Sequence, residues 1–147
     1  MHAGDFEELD HTADVGIRAR GETLEEMLIA AALGMLQLMF SAIPEKPDED
    51  ENAASDEHVI TVEGGNAEEL LRTWLSELLY RLTVDRTVPV GFDVEECTTQ
   101  RIRVRVRSVP MDEDVAAAAT EIKAVTWHGL RAEHTQDGWT GEVIFDT

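Results

Sequence analysis

At 147 residues with 43% hydrophobic side chains, the chain is long enough to bury one core and too apolar to be disordered. Its formal net charge of −19, from 31 Asp and Glu against 12 Lys and Arg, repels a phosphate backbone and excludes general nucleic-acid binding unless a local basic face overrides it. Cys97 is the single cysteine, which excludes an internal disulfide and a cysteine zinc cage and leads us to expect a reducing, cytoplasmic setting.

Met1–Leu9 has no basic-then-apolar leader, and the apolar run Met27–Phe40 is shorter than the roughly 20 residues of a membrane span, so neither secretion nor a membrane is expected. The acidity suits cations or a basic protein partner, but a genome-wide residue bias or adaptation to salt explains it as well. Lysine is scarce, only Lys46 and Lys123 against ten arginines.

In chain order, Val15–Arg20 alternates with period two, as a half-buried strand does, and Gly21 ends it. Thr23 and Glu26 form a capping box, and Leu24, Leu28, Ala31, Met35 and Leu38 give the helical stripe that follows. Residues 41–56, with Pro44, Pro47 and an acidic run, are expected to be an exposed flexible loop. His58–Val62 is a second strand. Asn66, with Glu69 three residues on, caps a second helix striped by Leu70, Leu71, Trp74, Leu75, Leu78 and Leu82. Strands are expected at Val90–Cys97, Arg101–Arg107, Thr120–Trp127, Leu130–His134 and Trp139–Phe145, with a tight turn at Asp137-Gly138. This order predicts one α+β domain over 1–147, mostly antiparallel sheet with two main helices packed on one sheet face.

The stretch "LDHTADVGIRARG", Leu9–Gly21, sets Asp10, His11 and Asp14 within five residues. Carboxylates in a turn suit a hard cation such as calcium or magnesium, but two are too few and a distant third would have to join them. Equally, Asp10 can form an Asx-turn, Thr12 can bond its local backbone, and Asp14 lies on the strand face of Arg18. In "RIRVRVR", Arg101, Arg103, Arg105 and Arg107 share one face; such a row binds phosphate or pairs with Asp and Glu on neighbouring strands. His11, His58, His128 and His134 do not pair at zinc-ligand spacing. Gly64-Gly65 lacks the lysine of a phosphate loop, and no nucleophile elbow is present.

"LDHTADVGIRARGETLEEMLIAAALGM", with "EIKAVTWHGL" and the terminal "VIFDT", resembles the archease family, and "LLRTWLSELLYRL" between them extends the likeness over nearly the whole chain. The resemblance implies a compact two-layer sandwich of the strand–helix–strand–strand kind, and an activator that is not itself an enzyme. Its partner would be an RtcB-type RNA ligase in tRNA splicing, which uses GTP and manganese to join a 3′-phosphate or 2′,3′-cyclic phosphate end to a 5′-hydroxyl. The activator would speed guanylylation of the ligase histidine and restore turnover, meeting GTP only through the ligase. An alternative role in the family is that of chaperone or modulator of a tRNA-modifying enzyme such as a methyltransferase. Residue by residue, Asp14 and Asp146 match acidic positions expected to converge on a divalent metal, calcium or else magnesium or manganese, with Asp10 and His11 close by. Lys123 of "EIKAVT" matches the family lysine, so ligase activation is expected to depend on Asp14, Lys123 and Asp146. The net charge argues for contact with protein before RNA. The chain departs from the family's aliphatic last residue, ending in Thr147.

Overall fold

A computed structural model describes residues 4–10, 14–40 and 56–147. The strands β1 (Asp5–Asp10), β2 (Val15–Gly21), β6 (Ala124–Val125), β7 (Arg131–Thr135) and β8 (Gly138–Asp146) form one sheet. A smaller sheet holds β3 (Asp56–Glu63), β5 (Arg101–Pro110) and β4 (Thr87–Cys97) in that order, and the pairings in both sheets are antiparallel. The α+β class and the two main helices, α1 (Leu24–Met39) and α2 (Ala67–Tyr80), are as the sequence predicts. The expectation of both helices on one sheet face does not hold, because the strands divide into two sheets and each helix touches both of them as well as the other helix. This explains why α1 is buried almost all round, with Met27, Leu28, Ala30, Ala31, Ala32, Met35 and Leu36 at 0% exposure.

Local chemistry sets the helix starts. The Thr23 hydroxyl accepts from the Glu26 amide and the Asn66 side chain from the Glu69 amide, satisfying amides that lack helical partners. The Glu26 carboxylate reaches back one residue further than a standard box and accepts from the Glu22 amide at 3.1 Å. All six residues of the α2 stripe are buried; Leu82 is held in a wide helical turn at Arg81–Asp85. The tight turn before β8 needs its glycine: Gly138 has φ +119°, and a Cβ there would lie 2.4 Å from the Gly21 carbonyl oxygen.

Two elements carry no sequence expectation. Strand β1 is an acidic edge whose Asp5 and Glu7 pair with Arg18 and Arg20 of β2. Helix α3 (Glu113–Ala118) is short, capped by Asp112, and buries no residue. The expected strand Thr120–Trp127 shortens to Ala124–Val125. β6 and β7 lie end to end along one edge of β8, so the turn between them leaves β6 only the last two rungs. Of the expected acidic loop, 41–55 lies outside the described residues, and β3 has begun by Asp56.

Three of the four arginines in the β5 row pair with acids of the neighbouring strands, and Arg107 has no ion pair among the described residues. Arg105 pairs with Glu95 at 2.7 Å and Glu57 at 3.1 Å, Arg103 with Glu95 at 3.0 Å, and Arg101 reaches Glu63 and Glu96. A break in the β4 register between Val94 and Glu96 turns Glu95 onto the arginine face. The hydrogen bonds from Arg105 and then Arg103 hold the Glu95 carboxyl below the usual carboxylate range. Folding therefore gains from the ionised form above the unfolded pKa near 4.5, and that gain disappears as pH falls through the lower folded value. Glu95→Gln is expected to lower the urea midpoint near neutral pH, with the difference from the parent chain shrinking in acid; parallel urea titrations at the two pH values measure it.

Cys97 is half-buried at the end of β4, and burial pushes its thiol up to about 11. Thiolate is the nucleophile, so alkylation should be slow near neutrality and should climb towards pH 11 instead of levelling above pH 9. Iodoacetamide rates against pH test this directly.

Candidate functional site

The opening acidic stretch and the chain terminus meet through strand register. β2 and β8 pair with Val15 opposite Phe145, Ile17 opposite Val143 and Ala19 opposite Gly141. The ladder ends at that first pair, and Asp14 and Asp146 are the next residues on each side of it, opposite one another if the register is carried one step further. Side chains of directly opposed residues share a sheet face, with Cβ atoms about 5 Å apart. Phe145, Val143 and Ile17 are buried towards the helices, so alternation puts Asp14 and Asp146 on the outer face. Asp14 is half-buried and Asp146 exposed.

Arg18 was the local partner open to Asp14, and it is engaged elsewhere. It reaches Glu142 at 2.6 Å and Glu7 at 2.8 Å, further along the same outer face. Asp14 has no cationic partner among the described residues. Asp10 occupies the β1 position opposite Val15. Its side chain, and all of His11, lie outside what is described.

Lys123 arrives at the same sheet end by a different route. Its amide donates to the Asp146 carbonyl at 2.7 Å, fixing the last residue of β8 against the approach to β6. Because Ala124 is the residue opposite Asp146, Lys123 falls on the alternate face, towards α2. There it lines a groove of about 300 Å³ with Arg72, Ser76, Tyr80 and Val125. Asp14 and Asp146 thus share one face and Lys123 flanks them from the other.

Sequence reasoning passed over two residues beside this end. Arg72 lies beside the apolar stripe of α2, donates its Nε to the Val125 carbonyl at 3.1 Å and sits over the Trp127 ring at 4.3 Å. Trp127 is 59% exposed. The available signals were an arginine inside "LLRTWL" and an indole inside "VTWHG".

Two carboxylates on one face match a hard cation in donor type but supply fewer than the roughly six to eight oxygens calcium takes. Among the described residues no group of three His, Cys, Asp or Glu side chains could hold a metal ion. His58 lies on β3 and His128 in the turn after β6; His134 stacks on Trp139 with ring centroids 4.9 Å apart. No helix among the described residues is long and apolar enough to cross a membrane.

Comparison with known proteins joins these observations. The model of the archease protein family (MTH1598/TM1083) matches residues 6–147. Protein archease of Methanopyrus kandleri is 33% identical over 144 residues, covering 96% of this chain and 98% of its own. Protein archease of Methanosarcina mazei is 34% identical over 145 residues, covering 96% and 94%. The solution structure of Methanobacterium thermoautotrophicum protein 1598 superposes with a TM-score of 0.65 at 27% identity, covering 97% of this chain and 98% of that one. The crystal structure of a Thermotoga maritima archease, described as a possible chaperone, shares the fold at 19% identity and a TM-score of 0.59, covering 96% of each chain. With a family model spanning everything from the first strand to the last residue, the chain belongs to the archease family.

Proposed function

We propose that the chain is a protein activator of an RtcB-type RNA ligase in tRNA splicing and RNA repair, acting through the sheet end that carries Asp14, Asp146 and Lys123. The observation that supports this is the β2–β8 ladder, whose end at Val15–Phe145 brings the neighbouring Asp14 and Asp146 to one end of the sheet, with no Lys or Arg ion-paired to either among the described residues. Adjacent carboxylates repel, so a shared cation or a basic partner is the arrangement that lowers their energy. A bound calcium, magnesium or manganese ion would neutralise the pair; Asp14 and Asp146 would hold it, with Asp10 and His11 as further donors.

The chain's own residues then do three things. The two acids present negative charge at an exposed tip, which steers association towards a basic cleft. Lys123 offers a cation on the flank, free to meet a phosphate or carboxylate of the partner. The Lys123 amide on the Asp146 carbonyl holds the terminus in place while contact is made. The chain carries out no chemistry itself and meets GTP through the ligase. Its setting is cytoplasmic in this reading.

The test is ligase guanylylation by GTP with and without the chain. The intact chain should stimulate it, and Asp14→Ala, Lys123→Ala and Asp146→Ala should each lose most of the effect while keeping the parent circular dichroism spectrum. Full stimulation by all three folded variants would remove the proposal. A role as chaperone of a tRNA-modifying enzyme is the second reading, favoured by the description of the Thermotoga maritima relative as a possible chaperone. It would show as stimulation of such an enzyme without any effect on the ligase.

A further inference from the structure

The groove between α2 and β6 differs in charge from the rest of this acidic molecule. The residues lining it, Arg72, Ser76, Leu79, Tyr80, Thr83, Lys123, Ala124 and Val125, include two cations and no carboxylate, in a chain with 31 acids. Its volume of about 300 Å³ is at the small end of ligand pockets. Among the described residues Lys123 has no carboxylate within ion-pair distance, and the terminal nitrogens of Arg72 have no protein hydrogen-bond acceptor.

Two aromatic rings stand beside these cations. The Arg72 guanidinium lies 4.3 Å from the centroid of Trp127, whose ring stands outside the groove's own lining and is 59% exposed. Tyr80 is 56% exposed on the α2 side. An aromatic face carries negative charge density and repels a carboxylate, whereas a flat heteroaromatic ring stacks on it. Lysine and arginine nitrogens attract the anion that the indole face would reject. A flat base joined to a phosphate satisfies both, and an acidic peptide satisfies only one.

We propose that this groove and the Trp127 indole beside it together bind a nucleotide, its base stacked on the exposed Trp127 ring and its phosphate held by Lys123 and the free edge of Arg72. Two sources share that chemistry, a free mononucleotide and the end of a single RNA strand. The −19 field opposes a long strand, so the site takes one nucleotide or a short terminus. The site shares Lys123 with the proposed activating end, but it does not require ligase activation and is tested on the chain alone.

The experiment is a titration of the full-length ¹⁵N-labelled chain followed by NMR. Adenosine 5′-monophosphate should move the Trp127 indole N–H and the amides of Lys123–Val125, with a dissociation constant at or below about 1 mM. The Trp74 indole, buried and bonded to the Leu28 carbonyl, should stay still. Trp127→Ala should weaken binding about 5- to 100-fold and Trp127→Phe much less. Lys123→Met should weaken the monophosphate and leave adenosine unchanged. A four-residue oligoadenylate with a 3′-phosphate that binds more tightly than the monophosphate identifies a strand end as the source, and equal affinity identifies the free nucleotide. The proposal is overturned if these signals do not move by about 10 mM monophosphate, or if a tetraglutamate peptide moves them equally.

Discussion

Asp14→Asn and Asp146→Asn should each lower calcium affinity tenfold or more, and the double variant should lose little beyond either single one. That non-additivity is expected of two ligands to one ion and not of two independent surface charges, whose effects would add. The same substitutions should leave the metal-free chain as stable as before or slightly more so. Two like charges held close at a sheet end repel, by about 1 kcal/mol were they about 5 Å apart in water, and amides remove that repulsion. The two residues sit where little packing is at stake, since Asp146 is exposed and the buried rungs begin at Phe145. Opposite signs for metal affinity and metal-free stability are therefore expected. Isothermal calorimetry with calcium, magnesium and manganese gives the first, and urea melts in chelator the second. Additive losses of affinity, or a folding defect in either single variant, would reject a shared ion.

How much of this was legible in the residues depends on how far apart the interacting groups lie. Helix starts are local, and Thr23 with Glu26 and Asn66 with Glu69 declare themselves within four residues. The arginine row of β5 is equally plain in its alternation, but the bulge that turns Glu95 towards it leaves no period in the sequence. Strand β1 hides because its acids face Arg18 and Arg20 on the neighbouring strand, and an acidic run beside a terminus looks like a solvated tail. Helix α3 hides because a helix that buries nothing needs no apolar stripe. The site is the extreme case. Local chemistry left Asp14 open between turn and ligand, since Arg18 was an adequate partner; only the folded pairings show that Arg18 goes to Glu142 and that Val15 meets Phe145. Trp127 and Arg72 escaped notice because their contact joins a helix to a turn far along the chain.

Trp74→Ala should cost about 3–5 kcal/mol, enough to consume much of the roughly 5–15 kcal/mol by which a domain of this kind is stable. The ring is at 0% exposure, donates its indole N–H to the Leu28 carbonyl at 2.9 Å, and meets Phe92 of β4 edge-on with centroids 5.9 Å apart. One side chain of α2 therefore ties α1 to the smaller sheet, and truncation opens a cavity that all three elements would have to close. Phenylalanine keeps most of the volume and loses the hydrogen bond, so Trp74→Phe should cost about 1–2 kcal/mol. Urea melts followed by circular dichroism give both values, and an unchanged slope would show that the loss lies in the folded state. The Asp14–Asp146 end depends on the β2–β8 ladder and not on this contact. Below its melting temperature Trp74→Phe should therefore stimulate the ligase as the parent does, whereas Asp146→Asn should keep the parent melting temperature and lose stimulation. That crossed pattern separates a residue that holds the fold from one that presents the site.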